Sequence, residues 1–290
     1  MKHESLSLMH NYPKRIFLFF LVALLCMIVG AIAVGAILMG GQTAVAMRIG
    51  TVVQDVVMFI MPAVVTAMLV SRTPARLLEV DRMMSPDSLV LAIAALVASI
   101  PAMNALVEWN QSLTLPAALS GVETWMRNAE MQAQGAVEVL LGGTSYGDLI
   151  VGLLIVAVLA GFSEEIFFRG ALQRLIMSGP LNHHLAIWLT AFIFSAFHMQ
   201  FFGFFPRLVL GGYFGYLLYW SRSLWLPVII HALNNGLVVY FSWKERGVEG
   251  EVASSFDGFG VDSPWLILVS VVLTAATVVL LKSRVVRSCE

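Results

Sequence analysis

Apolar residues gather in long blocks along this chain, and eight of the blocks approach the roughly 20 helical residues needed to cross a hydrocarbon layer about 30 Å thick. They cover approximately 16–39, 49–71, 88–107, 148–168, 186–205, 207–221, 224–243 and 264–281. Within each block apolar side chains occupy every face instead of alternating, which predicts helices and not barrel strands; without water the backbone must satisfy its hydrogen bonds internally. Only brief polar stretches separate the fifth, sixth and seventh blocks, so these are predicted as helices joined by tight turns. The predicted fold class is all-α: a polytopic membrane helix bundle of about eight transmembrane helices, forming one integral membrane domain over residues 1–290.

One connection has a pattern of its own. Across 108–147, Val122, Trp125, Met126, Ala129, Ala133, Ala136, Val137 and Leu140 recur at helical spacing, with Glu123, Arg127, Asn128, Glu130, Gln134 and Glu138 on the other faces. This predicts an amphipathic helix on the membrane surface, a packing element more than a gating lid. The stretch 244–263 is acidic, contains Gly and Ser, and reads as a flexible loop. Lys14 and Arg15 precede the first block as they would in a signal peptide. Its 24 apolar residues exceed the roughly 7 to 15 of a signal core, so a retained anchor is expected.

Composition agrees with the pattern and narrows it. The 290 residues are 59% hydrophobic and 12% charged, with a mean hydropathy of +0.86, against about 25% charged residues in soluble domains. Nothing in this composition supports nucleic-acid binding. The 17 basic residues matter through their placement. With the N-terminus inside, twelve fall on the cytoplasmic side and only Arg48, Arg127, Arg207, Lys244 and Arg246 fall outside, which predicts cytoplasmic N- and C-termini and puts 108–147 outside the cell. Cys26 in the first block and Cys289 near the end are expected to stay as unpaired thiols.

Chemistry is sought where polarity occurs at membrane depth, since an ionisable group there costs at least about 2.5 to 3.5 kcal/mol and needs a reason. Three clusters stand out: Glu164-Glu165-Ile166-Phe167-Phe168-Arg169, His198 after Phe194-Ser195-Ala196-Phe197, and His231-Ala232-Leu233-Asn234-Asn235. Glu165 and Arg169 are four apart, acid first, the better orientation for a helical ion pair. Glu164 then points about 100° away around the helix, free for a different partner. A turn centred on Leu181 places Glu164 and His198 each 17 residues away, at one height in an antiparallel hairpin. His231 lies nine residues beyond Arg222, about 13 Å deeper.

A carboxylate and an imidazole are able to take a proton from water, and a second imidazole with an amide is able to hold the oxygen that turns negative when that water attacks a peptide carbonyl. The same side-chain types also suit zinc, with Glu164, His198 and His231 as ligands, although the local H-E-x-x-H spacing is absent. Other marks have plainer readings. Asp55 beside Gln54 in the second block is accounted for by a hydrogen bond to a neighbouring helix as well as by a polar path. Gly211 and Gly215 form G-x-x-x-G, a close-packing face, and His183 and His184 are expected in a solvated loop.

Taken in order on successive helices, Glu164-Glu165-x-x-x-Arg169, Phe194-x-x-x-His198 and His231-x-x-x-Asn235 resemble the signatures of the CAAX protease and bacteriocin-processing family of intramembrane endopeptidases. The stretches Leu210-Gly211-Gly212-Tyr213-Phe214-Gly215 and Ser223 to Ala232 add to the likeness, which covers about residues 150–243. The resemblance implies an eight-helix bundle with its catalytic core at 150–243. It further implies an endopeptidase cutting near the C-terminus of membrane-associated peptides or proteins, prenylated CAAX proteins among them in eukaryotic relatives. Carried over, Glu164 and His198 activate water, His231 and Asn235 form the oxyanion hole, and Glu165 with Arg169 support them. No cofactor is expected on this reading, with zinc as the alternative. The expected partners are membrane lipid and the substrate, and the expected location is a bacterial cytoplasmic membrane. A non-enzymatic scaffold or bacteriocin self-immunity protein, and a transporter using the same groups as a path, are the competing functions.

Overall fold

The computed structural model describes residues 11–247 and 259–289. Helices dominate, and no strand occurs among the described residues. Helix α1, Tyr12–Leu38, starts at Asn11, whose side chain accepts the Lys14 amide at 3.2 Å, with Pro13 in the first turn where a missing N–H costs nothing. Helix α2, Ala44–Val70, is capped by Thr43 and contains a π-helical turn at Asp55–Ile60. Helices α3, Pro86–Ala98, and α4, Ile100–Ser112, form one span bent by 48° at Ser99, just before Pro101. Helix α5 is Ser120–Leu140.

Helix α6, Tyr146–Met177, opens with a reciprocal Ser145–Asp148 capping box and carries π-helical stretches at Leu153–Leu159 and Ile166–Gln173. Asn182 caps helix α7, His183–Phe197; helix α8 is Phe204–Ser221, helix α9 Trp225–Gly247 and helix α10 Pro264–Cys289. Helix α6 runs about nine residues past its predicted end because its charged residues are buried in pairs and do not mark a surface.

Six of these helices are long and apolar enough to cross a membrane, seven if the bent α3–α4 pair counts as one broken span and not as a re-entrant loop. The fifth predicted block, 186–205, is instead a shorter apolar helix ending at Phe197. Helix α7 has 15 residues, about 22 Å of rise, and stops at Phe197 because Met199 turns to a left-handed φ of 53°. The chain reverses through residues 198–203 into α8. Ser195 Oγ donates to the Phe204 carbonyl at 2.7 Å, and the buried Asn110 side chain donates to Phe201 O and accepts from Phe205 N, so the reversal is held from inside. The two histidines assigned to a loop are corrected as well. They form the first turn of α7, His184 Nδ1 lying 2.6 Å from Tyr216 Oη and His183 stacked on Tyr219 at 4.5 Å.

Helix α5 buries none of its residues and lies over the α7–α8 reversal. Trp125 packs on Phe201 at 5.3 Å, Arg127 sits 4.3 Å over the Phe202 ring, and Glu130 accepts the Phe202 amide at 3.2 Å. Of the acidic loop expected at 244–263, residues 248–258 lie outside the described residues, and so does Lys2; α9 continues to Gly247, and a turn follows at 259–262. The core is an aromatic seam in which Phe19, Phe59, Phe167, Phe168 and Phe194 meet at ring distances of 4.9 to 5.4 Å. It sets α6 between α1, α2 and α7.

Candidate active site

Small residues let three helices approach closely enough to assemble the site. A Cβ on Gly161 of α6 would lie 3.2 Å from the Ala232 backbone nitrogen of α9, so these helices touch main chain to main chain one turn from Glu164, Glu165 and His231. On α8, a Cβ on Gly211 would meet Ala191, Arg169 and Phe194 at 3.2 Å, and one on Gly215 would meet Gln173 Oε1 at 2.7 Å. Their carbonyls are thereby open to α6, accepting Arg169 Nη2 and Gln173 Nε2 at 3.0 Å each. The G-x-x-x-G is therefore a packing face and also a pair of acceptors.

Arg169 and Glu165 are both fully buried and paired at 2.8 Å. The guanidinium also lies 4.3 Å from the Phe194 ring centroid. Glu165 Oε1 has a second partner, His231 Nδ1, again at 2.8 Å. Because a carboxylate only accepts, that nitrogen carries the hydrogen, and His231 Nε2 is the atom turned to the chamber. Phe214 stacks on the His231 ring at 4.8 Å and fixes its plane. His198, the C-cap of α7, is oriented in the same sense: its Nδ1 donates to the Phe194 carbonyl at 2.8 Å, leaving Nε2 forward.

Both forward nitrogens look at one carboxyl oxygen. Glu164 Oε2 lies 3.9 Å from His198 Nε2 and 3.8 Å from His231 Nε2. These separations are too long for direct hydrogen bonds, and each is short enough for one small molecule to bridge the carboxyl oxygen and the imidazole. Glu164 and His198 remain partly open, at 17% and 27% side-chain exposure, while His231 is 6% exposed. Asn235, one turn beyond His231, donates to Val156 O at 3.2 Å across the first π-helical stretch of α6. One of its two amide hydrogens is used there.

Among the described residues no group of three or more His, Cys, Asp or Glu is placed to hold a metal ion. The 3.8 and 3.9 Å spacings exceed the edge of about 3.4 Å implied by Zn–N and Zn–O bonds near 2.0 to 2.1 Å in a tetrahedron.

Four features around the site go beyond the sequence reading. The His231–Glu165 contact joins residues 66 apart in the chain, and no local spacing signals it. Gln173 is fully buried against α8, and only its place one turn beyond Arg169 hints at it. Arg207, one turn into α8, donates to the Gln200 side chain at 2.8 Å and faces Glu130 and Glu164. The π-helical turn of α2 that Asp55 opens packs on the part of α6 that carries Ser163 and Glu164. An apolar groove of about 810 Å³ between α6 and α9 runs beside the cluster, lined by Phe162, Val228, Ala232 and Gly236 among others, and faces outward.

The class this defines is a polytopic helical membrane protein with a carboxylate–imidazole cluster in its interior. Residues 146–237 match the family model for Rce1-like type II CAAX prenyl endopeptidases, so this stretch carries an Rce1-like domain, that of a membrane peptidase family. No curated protein and no solved structure matches the chain.

Proposed function

We propose that the protein is an intramembrane endopeptidase that hydrolyses a peptide bond in membrane-associated substrates by direct attack of water. The observation that carries this reading is the position of Glu164 Oε2 between the Nε2 atoms of His198 and His231. Water bound among them loses its proton to Glu164, with the neutral His198 Nε2 holding it in line. The hydroxyl adds to the peptide carbonyl carbon. His231, its Nδ1–H held by Glu165, donates from a protonated Nε2 to the developing oxyanion, and Asn235 supplies its second amide hydrogen.

Charge supports this assignment. Two carboxylates and one guanidinium leave a net charge of minus one, which an imidazolium at His231 neutralises in surroundings where an unbalanced charge is costly. Collapse of the intermediate returns the proton from Glu164 to the leaving amine, so one water is consumed and no acyl-enzyme forms. Neither zinc nor a cofactor takes part in this reading.

The family match supports substrates of CAAX-type or related processing, and the apolar groove offers the lipid-embedded part of such a substrate a course past Glu164. The positive-inside asymmetry supports cytoplasmic termini. The test is reconstitution with a set of membrane peptides, including free and lipidated C-terminal sequences, and mass mapping of products. Cleavage at one defined bond is expected; intact peptides throughout would contradict the reading. Trapping with the Glu164→Gln variant then identifies the natural substrate.

A further inference from the structure

The proposed hydrolysis consumes one water for each bond cut, and the apolar groove between α6 and α9 is no route for it. Trp225 carries the one polar side-chain group on that lining, and its Nε1 is spent on the Val80 carbonyl at 3.0 Å. A second cavity, of about 280 Å³, lies on the opposite side of α9, bounded by the bent α3–α4 pair, α8 and α9. The 48° bend at Ser99 is braced from α10. There the buried Ser270 Oγ donates to Ala98 O at 2.6 Å and accepts from Ala102 N at 3.2 Å, which keeps the bend in place.

This lining is polar along its length. Asn234, Ser242 and Glu245 follow one stripe of α9 over about 16 Å, ending at the exposed Glu245 near the α5 end of the bundle, with Ser99 and Asn104 across from them. Ser242 Oγ has no hydrogen-bond partner among the described residues, and Asn234 has only the long 3.4 Å contact from its Nδ2 to Asn235 Oδ1. Polar groups so poorly partnered cost about 1 to 3 kcal/mol each where water is excluded. The cavity has room for several water molecules and offers them these partners.

Its inner end points at the chemistry. Leu210 of α8 and Asn234 of α9 stand there, and one turn deeper on the same two helices are Phe214 and His231, whose rings stack at 4.8 Å. Asn234 is about 60° around α9 from His231 and touches Asn235, so it borders both the cavity and the proposed oxyanion hole. We propose that this cavity is the water entrance: water passes through it from the α5 end of the bundle, and Asn234 hands it to the site formed by Glu164, His198 and His231. The inference rests on the hydrolytic reading above. Substrate and water then approach on opposite sides of α9, and a lipid-embedded substrate does not block its own co-reactant.

The test uses the full chain carrying Cys26→Ser and Cys289→Ser, reconstituted in liposomes, with Asn234→Cys, Ser242→Cys or the groove-side Val158→Cys added singly. A small charged methanethiosulfonate is expected to modify Asn234→Cys and Ser242→Cys and to spare Val158→Cys, which faces lipid. A bulky uncharged adduct on Ser242→Cys is expected to lower kcat about 10-fold or more with KM little changed. Removing the adduct with dithiothreitol should restore kcat, which separates blockage from misfolding. An unreactive Asn234→Cys, a kcat indifferent to the adduct, or an adduct that raises KM alone, as at a peptide subsite, would overturn the inference. If no peptide is cleaved while Asn234→Cys still reacts, the hydrated cavity stands and the protease reading falls; cleavage with an inert Asn234→Cys is the reverse.

Discussion

Helices α1 and α6 look alike as hydropathy, and the structure uses them in opposite ways. Helix α1 turns Phe17, Leu24 and Ile32 outward and buries little beyond Phe19, Ala23 and Gly30. Its apolar residues meet lipid as readily as protein, so they specify that the helix crosses and little else. Helix α6 buries Glu165, Arg169 and Gln173 completely, and each is matched by an atom of another helix or of its own next turn. The contrast teaches that in this medium apolar length decides topology, whereas polar pairing decides which helices stay together and where chemistry is possible.

The comparison sharpens first at Glu164. Glu164→Gln is expected to leave the fold intact and to lower kcat by about 10³-fold or more in a reconstituted peptide assay, since the proton acceptor is gone. Next comes the buried pair. Arg169→Met leaves the Glu164, Glu165 and His231 cluster with one uncompensated negative charge and is expected to destabilise the protein by about 3 to 5 kcal/mol, read as a lower unfolding midpoint in detergent; adding Glu165→Gln should recover part of it. Gly215→Ala, pressed against Gln173 and Ile187 at 2.7 and 2.8 Å, is expected to cost about 1 to 3 kcal/mol in the same measurement. Ile32→Ala on the lipid face of α1 is expected to change stability by under about 0.5 kcal/mol; a loss as large as that of Arg169→Met would erase the distinction between the two helices.

Much of this was legible in the sequence for stated reasons. Blocks of apolar residues mark spans because the bilayer allows few alternatives, and the Glu165–Arg169 pair follows from helical spacing alone. The three polar clusters were visible because polarity at depth is rare. What was hidden depends on contacts between distant segments. The stop at His198–Met199 is a backbone turn inside an apolar run, with no proline or glycine to announce it. Glu165 as the partner of His231 needed the close approach of Gly161 to Ala232. The burial of Glu165 and Arg169 was hidden too, since charges at the end of an apolar block read as a surface.

The central claim is that a carboxylate between two imidazoles, and not a metal ion, activates the water. The most direct measurement is cleavage by chelator-treated protein whose zinc content has been quantified. Full activity at far less than one zinc per chain is the expected result; activity that disappears on chelation and returns in proportion to added zinc would contradict it.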